Sequence, residues 1–162
     1  MANGLSNTLD GVAARNQDTI LLVARLLMAF IFIESAWTHS MNVEGFAKTF
    51  NNFLLPESLG YPMAVIACIV EMAGGIAIAA GWRIRETAIV MFVFVLVTIF
   101  VGHRFWEMDG VPRRLHMVQV KKNVFMMGGF LALFVAGAGR YAVSSWAARR
   151  SGAGAGLARQ GS

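Results

Sequence analysis

The chain has 162 residues, enough for one domain, and 57% of them are hydrophobic; its mean hydropathy is +0.59. Both values exceed those of a water-soluble globular chain, which excludes a soluble enzyme as the first reading. The net charge is +5, yet the basic residues fall at the ends of apolar runs and in the tail without interleaved aromatics, so nucleic acid is excluded as a partner and membrane topology accounts for the excess.

Residues 1–18 are polar and nearly neutral. The apolar run behind them is too long for a removable leader and lacks its small-residue cleavage site, so a first membrane span over 19–37 is expected, with Asp18 as its N-cap. A second span over 62–81 opens on Pro62 and closes at Gly81, a third over 87–102 is framed by Trp82, Phe105 and Trp106, and a fourth over 118–138 is followed by Gly139. Each lies near the ~20 residues that cross a hydrocarbon core of ~30 Å. Between the first two spans, Val43, Phe46, Phe50, Phe53 and Leu54 recur at helical spacing, predicting a short helix that lies at the interface or caps the bundle. Residues 142–162, rich in Ala, Gly, Ser and Arg, read as a flexible basic tail.

The expected fold class is therefore all-α, a transmembrane bundle of four helices over 19–141 with a short interfacial helix between spans one and two. Arg15, Arg83, Arg85, Arg140, Arg149, Arg150 and Arg159 fall on the side of the termini, against Lys48, Arg104, Arg113 and Arg114, joined by Lys121 and Lys122 where they reach the interface. That bias places both termini in the cytoplasm of a bacterial inner membrane. Ala73, Ala77 and Gly81 on the second span and Gly128, Ala132 and Ala136 on the fourth form two ridges of small residues, predicting close packing of these two helices.

Ionisable residues inside spans carry the functional reading, because each costs roughly 2.5–3.5 kcal/mol at the bilayer centre unless it turns inward. Arg25 and Glu71 are placed within roughly 6 Å of the midplane by the 1.5 Å rise per residue, which predicts a buried ion pair with two competing readings: a clamp that fixes helix register, or the floor of a polar cavity. Glu34, ~13 Å higher, falls in a layer with His39, His103, Lys121, Lys122 and Asn123. A carboxylate, an imidazole and an ammonium at one rim can bind a quinone head group or a small anion and move protons; the competing reading is a set of interfacial charges that snorkel and pair. Haem is not expected, since neither His39 nor His103 is surrounded by the small residues that admit a porphyrin and His116 reads as a loop residue. The lone Cys68 provides no thiolate cluster, and no metal is expected.

The third and fourth spans carry Thr98-Ile-Phe-Val-Gly-His103-Arg-Phe105-Trp106, then Lys122-Asn123, Gly128-Gly129 and Gly137-Ala-Gly139-Arg140-Tyr141. With Ala24-Arg25-Leu26-Leu27, Glu44-Gly45-Phe46-Ala47, Glu71-Met-Ala-Gly74-Gly75 and the turn Gly81–Arg85, this order resembles the DoxX family over roughly residues 20–145. The resemblance implies a four-helix membrane protein related to the membrane subunit of archaeal thiosulfate:quinone oxidoreductase, with Arg25, Glu71, His103, Lys122 and Asn123 at the family's polar positions. One departure stands out: where many members close the first span with Gly-x-x-Lys, this chain has Ser35-Ala-Trp-Thr38 preceded by Glu34.

The first functional expectation is thus a membrane subunit of a quinone-linked oxidoreductase. In it Glu34, His103 and Lys122 act on the quinone, while Asn123, Arg25 and Glu71 complete the binding site. Any metal or flavin would come from a partner, because the chain has no dinucleotide fingerprint or CxxC. The alternative is a non-catalytic anchor or assembly factor for a partner enzyme. Expected partners are membrane lipids, a protein of a redox complex and a second copy of the chain.

Overall fold

In a computed structural model that describes residues 2–50 and 56–150, the chain is a bundle of four long helices with no strand among the described residues. They are α1 (Ala2–Met41), α3 (Glu57–Ala80), α4 (Ile84–Gly102) and α5 (Gly110–Ala136), with a short α2 (Val43–Ala47) and a 3-10 turn (Lys48–Phe50) after α1. A second 3-10 turn, Phe105–Glu107, joins α4 to α5, and a final helix, α6, occupies residues 143–150. All four long helices are apolar and long enough to cross a membrane. Lipid is the solvent their outer faces require: Phe125 is 78% and Val135 77% exposed, and a helix is the form that leaves no backbone group unpaired there.

The helix ends differ from the sequence expectation in instructive ways. Residues 2–18 are not a separate polar segment but continue the first span as helix, held by Thr8 Oγ1 on the Gly4 carbonyl and Asn16 Nδ2 on the Val12 carbonyl. Asp18 consequently lies mid-helix, where it cannot cap; its Oδ1 instead accepts the Arg140 backbone N–H at 2.8 Å. Pro56, not Pro62, precedes α3, and Pro62 sits inside that helix, omitting one ladder hydrogen bond within its first two turns. α5 begins eight residues before the expected span and ends at Ala136, with Gly137 rather than Gly139 at its C-cap. Gly81 does close α3, at φ 67°, and Trp82 N–H reaches back to the Ala77 carbonyl at 2.9 Å. The tail expected from residue 142 begins with α6, and its remainder lies outside the described residues, as do Phe53 and Leu54.

The core joins Ala29 and Phe32 of α1, Ile78 of α3, Met91 and Val95 of α4, and Phe130 and Leu133 of α5. α1 lies along α3 and α4 along α5, so the bundle is two helix pairs. The expected contact between the small-residue ridges of α3 and α5 does not form. Ala73, Gly128, Ala132 and Ala136 are exposed, and nothing lies within 4 Å of where a Gly128 Cβ would stand. The close approach is made by Gly75 against α1, where a Cβ would meet Ile33 Cγ1 at 2.8 Å and the Ala29 carbonyl at 3.3 Å. α2 and its 3-10 turn cap the far end, burying Ala47 and Phe50 against Ala64 and Ala67 of α3.

Candidate functional site

Arg25 and Glu71 both turn inward but do not meet, and the expected ion pair between them does not form. Arg25 is fully buried; its Nη1 donates to the Ala79 carbonyl at 3.3 Å and its Nη2 to the Tyr141 carbonyl at 2.7 Å. The C-terminal end of α3 supplies the compensating partial negative charge. Gly81 is required twice over in this clasp, by its positive φ and because a Cβ there would collide with Arg25 Nη1. Ser144 Oγ on the Gly81 carbonyl (2.7 Å) and Arg85 Nε on the Phe134 carbonyl (3.1 Å) complete the polar lock at the terminal face. Centring two apolar runs on one midplane does not fix the register of the antiparallel helices that carry them. In the structure α1 is displaced so that Arg25 faces Ala79, eight residues or about 12 Å from Glu71.

The displacement brings Ser35 and His39, one turn apart on α1, to Glu71. Ser35 Oγ donates to Glu71 Oε1 at 3.2 Å, and His39 Nδ1 lies 3.2 Å from Oε2. The His39 ring is in turn stacked on Phe46 of α2, with centroids 3.7 Å apart and planes 3° from parallel. The chain thus fixes both the carboxylate and the imidazole that faces it. Glu71 is 8% exposed, so this wall is inside the bundle.

Glu71 and His39 form one side of a cavity of about 300 Å³ between the four long helices, roofed by Phe46, Thr49 and Phe50. Thr98, His103, His116, Gln119, Lys122 and Asn123 line the other side. Buried Asn123 donates through Nδ2 to Thr98 Oγ1 at 3.4 Å. The rings of His103 and His116 meet edge to face at 5.5 Å, and each has a buried Nδ1 without a hydrogen-bond partner among the described residues. Glu34 lines the cavity from an exposed position and accepts from Thr38 Oγ1 at 3.0 Å.

Of the residues singled out from sequence, the cavity therefore collects Glu34, His39, Glu71, His103, Lys122 and Asn123, and it leaves out Arg25 and Lys121. Sequence reading missed His116, which belongs to α5 and not to a loop. The signal was present: His116, Gln119 and Asn123 recur at i, i+3 and i+7, one face of a helix. Among the described residues no group of three or more His, Cys, Asp or Glu side chains is placed to hold a metal ion.

A four-span helical bundle with a polar cavity opening near the face opposite the termini defines a multi-pass membrane protein. The DoxX family pattern matches residues 20–104. The chain is also similar to two proteins of Escherichia coli (strain K12). It is 32% identical to inner membrane protein YphA over 124 residues, covering 74% of this chain and 84% of the relative. It is 34% identical to inner membrane protein YqjF over 129 residues, covering 78% and 91%. The chain belongs to the DoxX family. No solved structure matches it.

Proposed function

We propose that the chain is the membrane subunit of a quinone-linked oxidoreductase and that the cavity receives the quinone head group. The observation that carries the reading is the convergence, within about 300 Å³, of the Ser35–Glu71–His39 wall with Lys122, Asn123 and His103. That volume is at the lower end of small-ligand sites, the scale of a single substituted ring. The unpartnered Nδ1 atoms of His103 and His116 leave hydrogen-bonding capacity for a polar guest. A bound quinone supplies two-electron, two-proton chemistry at its paired carbonyl oxygens. The protein's share is to bind and to handle protons. Lys122 and Asn123 offer donors to one side of a ring, and the imidazole–carboxylate pair of His39 and Glu71, 3.2 Å apart, can hold a proton and pass it on. Electrons would come from a partner subunit.

The test is extraction of quinone from protein purified with its native lipid. Bound quinone is expected with the wild type and is expected to fall at least about tenfold with His103→Ala or Lys122→Ala, a change of ~1.4 kcal/mol in binding. Absence of quinone from the wild type, together with a stoichiometric protein partner in mild detergent, would favour the anchor or assembly-factor reading instead.

A further inference from the structure

The wall of the cavity is not equally thick on all sides. Between α1 and α3 it is shut by Ser35 and His39 on Glu71, and above by Phe46 and the buried Phe50. Between α1 and α5 the helices meet through side chains alone. Phe32 lies against Phe130 with centroids 5.6 Å apart, and Met28 lies over Gly129, where a Cβ would be 3.0 Å from its Cε. Outside that contact runs a groove lined by Leu27, Met28, Phe125 and Gly129, with Lys121 near one end. Ile31, Lys122 and Met126 line both this groove and the polar cavity. A layer one side chain thick thus separates them, and Lys122 stands at the junction.

We propose that the cavity's ligand is an amphipath with one hydrocarbon tail, which passes sideways from the bilayer between Ile31 and Met126 and leaves its tail along the α1–α5 groove. This rests on the reading of the cavity as a ligand site. Lipid tails are as apolar as the Leu, Met and Phe of the groove, so the groove's contribution is geometric: it lets a tail leave the bundle without unseating the head. From Lys122 to Gly129 it offers a path of about 10 Å along α5, pointing from the polar layer toward the middle of the bilayer. The shared residues favour this occupant over an independently bound lipid, because a head anchored in the cavity must send its tail past them.

The experiment compares two photoreactive probes with the same diazirine-bearing decyl tail, one with a benzoquinone head and one with a carboxylate head, on the full chain in lipid nanodiscs. Leu27→Trp fills the groove; Val90→Trp, in the groove between α3 and α4, is the control, and both positions are exposed. The quinone-headed probe is expected to label residues 27–31 and 125–129 saturably in the wild type and in Val90→Trp. Labelling should drop about fivefold or more in Leu27→Trp, while a tailless benzoquinone still competes with unchanged affinity. If only the carboxylate-headed probe labels the groove in this way, the groove assignment stands and the quinone reading falls. If labelling spreads over all lipid-facing helices, or ignores Leu27→Trp, the groove assignment is overturned; tailless benzoquinone binding then judges the cavity by itself.

Discussion

Arg25 and Glu71 show how two buried charges in one membrane protein can be held by separate partners. The arginine is held by the Ala79 carbonyl in the last turn of α3 and by the Tyr141 carbonyl beyond α5; at the end of α3 four backbone acceptors lack helical partners and the helix dipole attracts a cation. The glutamate is held by a hydroxyl and an imidazole. Two double-mutant cycles in reversible detergent unfolding distinguish this from a direct pair. Arg25→Ala with Glu71→Ala is expected to be additive within about 0.5 kcal/mol, and His39→Ala with Glu71→Ala to show a coupling of about 1–2 kcal/mol. A coupling of ~2 kcal/mol between Arg25 and Glu71 would contradict the carbonyl clasp.

Among helices, one glycine governs the α1–α3 contact and another governs none. Gly75→Val is expected to lower stability by about 1–3 kcal/mol, since the added atoms meet the Ala29 backbone as well as the Ile33 side chain. Gly128→Ala, with open space around it, is expected to raise stability by about 0.5–1 kcal/mol through helix propensity. Thermal unfolding of both variants checks the pair of signs. The number of spans and the face bearing Glu34, His103, Lys122 and Asn123 could be read from the residues, because long apolar runs and out-of-place charges are direct consequences of lipid as solvent. The ends at Gly81 and Gly102 were legible too, but the starts of the helices were not. Hydropathy reports where lipid begins, not where hydrogen bonding begins, so α1 starts 17 residues before its apolar run and α5 takes in His116. Helix register was equally hidden, since sliding α3 by two turns leaves every residue in lipid and changes only which side chains meet.

Across the molecule, the four spans of the described residues put Gly4 and Arg140 on one side, and the excess of arginine there predicts that side to be cytoplasmic. In a Cys68→Ala background, Asp109→Cys is expected to react with a membrane-impermeant maleimide added outside intact spheroplasts, and Arg140→Cys only after lysis; the reverse pattern would invert the topology. Asp109 and Arg140 are both exposed, so accessibility reports sidedness. The length of α1 adds a mechanical dimension. Its 40 residues make a strut of about 60 Å with no Gly or Pro between Val12 and Met41, hence no built-in hinge. It is pinned near Arg25, with Leu5, Leu9 and Val12 bare on one end and His39 on the other. Because α1 is also packed along α3 at Ala29, Ile33, Ser35 and His39, the strut is clamped over its second half and projects as a cantilever: a sideways pull at Leu5 is borne first at the Asp18–Arg140 tie and the Arg25 clasp, well before it could disturb Glu71.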